Sequence, residues 1–156
     1  MRVTLSDRER RYIALFEDET GATARDCLVF EGDGDSDEDG DDETGNGNGC
    51  VVFLVAAGEM GQAVGPGGRR VTRVEKRVDR PVKLVEDADT AEAFVANALA
   101  PAAVRHVTVS EQGDRVAYAE VPPDDRGAAI GRDGRNIETA RRLAARHYDV
   151  DDIQLT

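Results

Sequence analysis

Two glycine-rich turns, spaced 66 residues apart, are the part of this sequence that could bind a ligand. The first is Gly65-Pro66-Gly67-Gly68 and the second is Gly131-Arg132-Asp133-Gly134. Glycine at both ends lets each turn close tightly and lie near another backbone. A predicted amphipathic helix follows each turn, and its first N–H groups and positive dipole end attract anions. This chemistry predicts that the turns hold a phosphodiester backbone.

Positive charge is concentrated around the same two turns. Residues 61–80 contain six basic and two acidic side chains, and so do residues 126–146, which gives each segment a balance of +4. The whole chain has a net charge of −12, which alone would argue against a nucleic-acid ligand. We therefore expect phosphates to bind at the turns. The candidate binding residues are Gly65, Pro66, Gly67, Gly68, Arg69, Arg70, Gly131, Arg132, Asp133, Gly134, Arg135 and Asn136.

The repeat of a helix, a G-x-x-G turn and a second helix resembles the KH module. A single G-x-x-G is a weak signal, but two copies in the same local frame are much stronger. In KH modules the turn clamps the backbone of about four nucleotides of single-stranded nucleic acid. The resemblance implies that single-stranded RNA contacts both turns through phosphates, with bases in the apolar groove beside each. The alternative is two helical hairpins that share only an ancestor.

The two turns depart in different ways from the usual KH pattern, in which a variable position is often basic. In the first turn these positions are Pro66 and Gly67, so positive charge must come from the arginines that follow. In the second turn Arg132 fits, but Asp133 would repel a phosphate unless its side chain points away. We expect neither turn to dominate binding.

Periodicity and capping signals predict the elements that position the turns. A capping box at Ser6 and Glu9 opens a helix that ends before Gly21, and Thr90 begins a later helix that Pro101 ends. The continuous apolar run 50–57 predicts a buried strand. The other predicted strands are 25–31, 82–86, 104–110, 115–121 and 153–155.

The order helix, strand, strand, helix, turn, helix, strand occurs twice. It predicts an α+β fold of two tandem type II KH domains, each a three-stranded mixed sheet with helices packed on one face. The domains are predicted at residues 1–88 and 89–156. With 40% hydrophobic but only 4% aromatic residues, their cores must consist mostly of valine, alanine, leucine and isoleucine.

An acidic, low-complexity segment at about 32–49 interrupts the first predicted domain. Its composition cannot bury a core and predicts a disordered insertion. The spacing of Asp35, Asp37 and Asp39 begins like a calcium loop, but Asn46 stands where a bidentate glutamate is required. A solvated insertion is therefore the preferred interpretation.

The remaining residues suggest neither catalysis nor a metal site. Cys27 and Cys50 lack metal-ligand spacing, so we expect no zinc but buried free thiols, with a disulfide between neighbouring strands as the alternative. His106 and His147 fit structural roles, and the turns lack a Walker G-K-[ST]. We expect no enzyme activity and no cofactor. Charges close to the N-terminus and the lack of a long apolar run predict a cytoplasmic protein without a membrane partner.

Residues 94–104, Phe-Val-Ala-Asn-Ala-Leu-Ala-Pro-Ala-Ala-Val, closely resemble the segment between the KH domains of the NusA family of transcription factors. The two turns lie on either side of it in the family's order. The resemblance implies a monomer that binds RNA emerging from RNA polymerase and affects pausing, termination or antitermination. Bacterial members also carry a polymerase-binding domain and an OB-fold domain, which are not recognisable here. The resemblance therefore supports contact with RNA more strongly than contact with RNA polymerase. The excess of acid and the presence of only two lysines resemble proteins of extremely halophilic archaea.

Two rival functions share these motifs. One is a KH module that docks on RNA polymerase or the ribosome without binding RNA, in which case turn substitutions would leave partner binding unchanged. The other is a general RNA chaperone, which would bind single strands without sequence preference. The RNA target and the direction of the effect on termination do not follow from the sequence.

Overall fold

The computed structural model describes residues 4–31 and 49–156, which form two compact units, Thr4–Glu86 and Asp87–Thr156. Each unit contains a three-stranded mixed sheet and three helices, so the predicted α+β class is confirmed. The predicted acidic insertion and the calcium-like loop lie outside the described residues, except that Gly49 already belongs to a strand. Both interpretations stay predictions.

The first unit follows the predicted order of elements. Its sheet has the strand order β1-β2-β3, with β1 antiparallel and β3 parallel to β2. A one-turn 3₁₀ segment, Pro66–Gly68, joins the second and third helices. The elements are α1 (Asp7–Thr20), β1 (Ala24–Glu31), β2 (Gly49–Val55), α2 (Met60–Val64), α3 (Arg69–Val78) and β3 (Val82–Glu86).

Helix α1 begins and ends as its sequence predicts. The Ser6 hydroxyl accepts a hydrogen bond from the Glu9 N–H at 3.1 Å, and the Glu9 carboxylate accepts one from the Ser6 N–H at 2.8 Å. Gly21 ends the helix in the left-handed conformation, with φ of 73°. The helix packs on the sheet through Phe16, whose ring stacks on Phe53 with the centroids 4.6 Å apart.

The core of the first unit lies between the sheet and the three helices. Strand β2 is buried throughout from Val51 to Val55, which confirms the buried strand predicted at 50–57, although it ends two residues earlier. Both cysteines are free thiols, Cys27 buried and Cys50 half-buried. They are not opposite each other, because Cys27 pairs with Phe53 and Cys50 with Phe30. The core residues are Phe16, Ala22, Ala24, Cys27, Val51, Phe53, Val55, Ala63, Val74 and Val78.

The second unit repeats the arrangement with the strand order β4-β5-β6, in which β4 is antiparallel and β6 parallel to β5. Strands β4 and β5 are shorter than predicted, since Val104 and Val121 continue the apolar alternation beyond the last paired residues. The elements are α4 (Ala91–Ala98), β4 (His106–Ser110), β5 (Val116–Glu120), α5 (Arg126–Ile130), α6 (Arg135–Tyr148) and β6 (Asp152–Leu155), with 3₁₀ turns at Pro123–Asp125 and Arg132–Gly134.

Tyr148, the last residue of α6, contacts both α4 and the first residues of the second unit. Its ring stacks on Phe94 of α4 with the centroids 4.8 Å apart. Its hydroxyl hydrogen-bonds Asp87 and the carbonyl of Ala88. The sequence reasoning did not identify this residue, because neither contact is visible in helical periodicity. Among the described residues, no helix has both the length and the apolar character of a membrane span.

Helices α3 and α6 both end at an aspartate in the left-handed conformation, Asp79 with φ of 58° and Asp149 with φ of 55°. This conformation disfavours a Cβ, and the carboxylate lies at the negative end of the helix dipole. We expect Asp149→Gly to stabilise the protein by about 1 kcal/mol in thermal unfolding, and more at low salt, where the dipole is less screened. Asp149→Asn isolates the charge contribution. No gain from either variant would contradict this explanation.

Candidate nucleic-acid interface

The two glycine turns have the same backbone conformation. At their first, third and fourth positions φ is 77°, 63° and 76° in the first turn and 79°, 56° and 73° in the second. The third position is Gly67 in one turn and Asp133 in the other, so an aspartate occupies a left-handed conformation that glycine adopts more easily. The repeat in the sequence is therefore a repeat of structure, with a change of charge at its centre.

The first glycine of each turn is required by the turn itself. A Cβ on Gly65 would lie 2.7 Å from Cγ of Arg70, and one on Gly131 would lie 2.6 Å from Cβ and 2.8 Å from the backbone N of Asn136. Apart from the chain neighbours, no atom of the described residues lies within 4 Å of the Cβ position at Gly67, Gly68 or Gly134. The open side of each turn is thus at its third and fourth positions, where a ligand backbone can approach.

Arg70 and Asn136 occupy equivalent positions and both hold the short helix before the turn. Arg70 donates from its guanidinium to the carbonyl of Gln62 at 2.9 Å. The Asn136 side-chain amide donates to the carbonyl of Ala128, the residue equivalent to Gln62, at 3.2 Å. The sequence predicts that both bind RNA. Their hydrogen bonds show that both hold the turn in shape.

Asn136 also reaches an element that Arg70 does not. Its amide nitrogen lies 3.1 Å from the carbonyl oxygen of Ala129 and 3.2 and 3.3 Å from those of Leu99 and Ala100, which follow α4. A single amide thus connects α5, the second turn and the end of α4. This role was missed because the spacing of a sequence does not show which carbonyls a side chain faces.

A carboxylate before each short helix forms a second repeated anchor. Glu59 accepts from the N–H of Thr23 at 2.7 Å, and Asp125 accepts from the N–H of Ala103 at 2.6 Å. The two acids are 66 residues apart, and both acceptors hold the connection between the first helix and first strand of their unit. The spacing was a signal that could have identified them.

Two of the predicted phosphate ligands are exposed on the open sides of the turns. Arg69 and Arg132 are exposed, and within the described parts of the chain neither side chain forms a hydrogen bond or ion pair. Arg135 is half-buried and has other interactions. Since Pro66 has no N–H, the second turn offers one backbone donor more than the first, at Arg132. Helices α3 and α6 begin after the last turn glycines without a side-chain cap. The N–H groups of Arg69 and Arg135 donate to the carbonyls of Pro66 and Arg132, so the helices attract an anion chiefly through their positive dipole ends.

A groove of about 580 Å³ lies beside the second turn. Ile137 is buried at its floor and Ile130 is exposed at its side. Arg141 covers part of the strand edge, since its guanidinium donates to the carbonyl of Ile153 at 3.0 Å and lies 2.9 Å from the carboxylate of Asp152. The sequence predicts an apolar groove, but the residues that line it are both polar and apolar. These residues are Arg126, Ile130, Asp133, Gly134, Ile137, Glu138, Arg141, Gln154 and Leu155.

The corresponding place in the first unit has different chemistry. Glu75 occupies the helix position of Arg141 and accepts from the N–H of Val82 at 3.0 Å. In the first unit, therefore, a glutamate accepts a hydrogen bond from a backbone N–H of β3. In the second unit an arginine donates one to a backbone carbonyl of β6. The positions of Ile130 and Ile137 are Val64 and Val71 in the first unit. The two turns are alike in backbone, but the surfaces beside them differ.

Comparison with known proteins gives the class to which this fold and these turns belong. Residues 91–156 match the family model of the NusA-like second KH domain. The chain is 59% identical to the probable transcription termination protein NusA of Halococcus morrhuae, over 99% of both chains. It is 57% identical to the protein of the same name from Halobacterium salinarum over the whole of both chains. A solved structure, the crystal structure of APE1850, is 30% identical, with a TM-score of 0.72 over 97% of this chain and 100% of that one.

The second unit is accordingly a KH domain of the NusA type. The chain belongs to the NusA family of transcription termination proteins. The similarity extends to bacteria, since the transcription termination/antitermination protein NusA of Mycobacterium bovis is 36% identical over 91 residues, which are 58% of this chain and 26% of that protein. The family named from residues 94–104 and the two turns is confirmed.

Proposed function

We propose that this protein is a transcription factor that binds single-stranded, nascent RNA through both glycine turns and modulates pausing, termination or antitermination. In this proposal residues 1–88 and 89–156 are tandem type II KH domains that act as a monomer. RNA polymerase is the second partner, since the family to which the chain belongs acts in transcription termination. The observation that carries the proposal is the repeated turn, which leaves an open backbone before an uncapped helix in each unit.

RNA phosphates are placed at the third and fourth turn positions in this mechanism. There the backbone is open, and the positive dipole end of the following helix favours an anion. Arg69 and Arg132 supply mobile cations from the exposed side. Arg70 and Asn136 act indirectly, since they hold the turn while phosphates bind elsewhere.

Bases are placed in the grooves beside the turns. In the second unit Glu138, Arg141 and Gln154 line the groove and supply hydrogen-bond donors and acceptors next to Ile130 and Ile137. In the first unit the equivalent helix positions supply valines and Glu75. The second groove is therefore better equipped to distinguish bases by hydrogen bonds, and the first to accept them by apolar contact.

An exchange between the turns tests this function. Asp133 shows that an aspartate adopts the conformation of Gly67, so Gly67→Asp should fold while placing a carboxylate near the phosphate. One charge at about 4 Å in water contributes about 1 kcal/mol, so we expect about fivefold weaker binding of an unstructured RNA library. Asp133→Gly and Asp133→Asn should each strengthen binding by a similar factor. Fluorescence anisotropy measures these affinities at the lowest potassium chloride concentration at which every variant is folded, because concentrated salt would screen the charge effect.

Circular dichroism of each variant provides the control for folding. Failure of the wild-type protein to bind RNA, or affinities indifferent to all three substitutions, would reject RNA binding at the turns. The protein-docking function would then be the better explanation, because it requires no open turn backbone.

A further inference from the structure

Helix α3 carries a row of cations that begins at the first turn and continues beyond it. Arg69, Arg73 and Lys76 follow one another at i, i+4 and i+7, which places them on one face of the helix. All three side chains are exposed. The row starts at the first turn and extends about 10 Å along the helix, at 1.5 Å per residue. We refer to these three residues as the α3 stripe.

The stripe differs from the nearby Arg77 and Arg80, which both form ion pairs with acidic side chains. Arg77 lies 2.9 Å from the carboxylate of Glu19, a hydrogen bond that raises the pKa of Arg77, and Arg80 lies 3.3 Å from that of Glu31. Within the described ranges 4–31 and 49–156, no stripe residue forms an ion pair or hydrogen bond through its side chain. Three like charges therefore lie on one face of α3 without an ion-pair partner among the residues that the structure describes.

The equivalent helix of the second unit has no such row. The position of Arg73 is taken by Thr139, which is completely buried and donates to the carbonyl of Arg135 at 2.8 Å. The position of Lys76 is taken by Arg142, whose guanidinium bonds Glu138 at 3.1 Å. Because a unit with the same turn folds without the stripe, the stripe is not required by the fold.

We propose that the α3 stripe binds RNA backbone phosphates beyond the nucleotides held by the first turn, and so lengthens the RNA path on the first unit. The proposal rests on the proposed RNA binding at the turns. Arg69 belongs both to the residues after the turn and to the stripe, so a strand that leaves the turn meets Arg73 and Lys76 next. A phosphodiester chain supplies the repeated negative charge that a row of unpaired cations requires.

An acidic protein surface fits the stripe less well. Interfaces between proteins depend on buried aromatic or aliphatic anchors, with charges mostly at the rim. The exposed face of α3 offers Arg69, Thr72, Arg73, Lys76 and Arg77, and no apolar side chain. Such a face matches a ligand recognised by charge alone.

The test uses 5′-fluorescein oligouridylates of four and ten nucleotides with the full chain. A four-nucleotide probe fills the turn, whereas ten nucleotides also reach the stripe. Each lost phosphate contact on a single strand lowers the slope of log affinity against log salt by about 0.7. Arg73→Ala/Lys76→Ala should thus reduce the slope for the ten-nucleotide probe by about 1.4, which is about 25-fold in affinity per tenfold change in salt. Binding of the four-nucleotide probe should change little.

Arg11→Ala/Arg105→Ala is the control for charge removal elsewhere, since it removes two exposed cations outside the stripe, of which Arg105 lies 3.8 Å from the carboxylate of Glu120. Salt is varied only where circular dichroism shows every variant folded. If both double variants behave alike, or the stripe variant binds ten nucleotides with the wild-type slope, the stripe proposal is overturned and an acidic protein becomes the better partner. If the four-nucleotide probe also fails to bind wild type, or ignores Gly67→Asp, the proposed turn function fails as well, so the two failures are distinguishable.

Discussion

Gly131→Ala is expected to destabilise the second unit by about 3–5 kcal/mol in urea unfolding, an effect large for a single methyl group. At Gly131 φ is 79° and ψ is 173°, a conformation that is essentially restricted to glycine. The new Cβ would also meet the backbone N of Asn136 at 2.8 Å, and a backbone atom cannot move without displacing the start of α6. Strain and overlap therefore add at the same residue.

Two other glycines provide matched comparisons. Gly65→Ala places its Cβ 2.7 Å from Cγ of Arg70, which is a side chain that can rotate away, so we expect a smaller loss of about 2 kcal/mol. Gly127→Ala lies inside α5 in open space and without a positive φ, and should stabilise the protein by about 0.5–1 kcal/mol. Equal stabilities for the Gly131 and Gly127 variants would refute the close packing of the turn.

The second large effect is expected at Asn136, where aspartate should be much worse than alanine. Asn136→Ala leaves four carbonyls without a shared donor, which should cost about 2 kcal/mol, since part of that surface is open to water. Asn136→Asp is nearly isosteric but directs a carboxylate at the same four oxygens. Repulsion between acceptors and a charge should raise the cost above about 4 kcal/mol near neutral pH.

The pH dependence of the unfolding free energy of Asn136→Asp separates the effect of the new charge from that of the changed shape. Carbonyl oxygens around the new carboxylate would raise its pKa in the folded state above the usual value of about 3.9. The penalty should therefore be smallest in acid, where the group is neutral and can donate, and should grow as the pH rises through the raised pKa. Arg70→Ala, which removes one exposed hydrogen bond, should cost only about 1 kcal/mol. If the loss of unfolding free energy caused by Asn136→Asp does not change with pH, the four carbonyls around Asn136 do not determine the stability of the turn.

Much of the fold was predictable because local signals agreed with one another. The serine and glutamate of the capping box fixed the start of α1, and an apolar run without charges indicated the buried strand β2. The turns were recognisable because only glycine adopts the conformation at their first position, so the residue type itself reports the backbone angle. The repeat of these glycines carried the family resemblance, and the comparison with known proteins confirmed it.

The roles of the side chains after the turns were not predictable in the same way. Arg70 and Asn136 differ in size and charge, yet both donate to the carbonyl of an equivalent residue. Their partners depend on how the short helix lies over α3 or α6, which is a matter of tertiary geometry. Likewise, the positive balance of +4 is the same in both segments, but only the structure separates arginines such as Arg142, which is paired with Glu138, from those such as Arg73, which has no partner among the described residues.

The hydrogen bonds of the Asn136 amide to carbonyls on two elements affect how the chain opens locally. In the second unit the turn cannot loosen without releasing the end of α4, because the same amide holds Leu99 and Ala129. Turn and helix end therefore open as one cooperative segment. Among the described residues the Arg70 side chain holds Gln62 alone, so it does not couple the first turn to another element. Opening of the second turn therefore also releases the end of α4, whereas the hydrogen bond of Arg70 can break without that further loss.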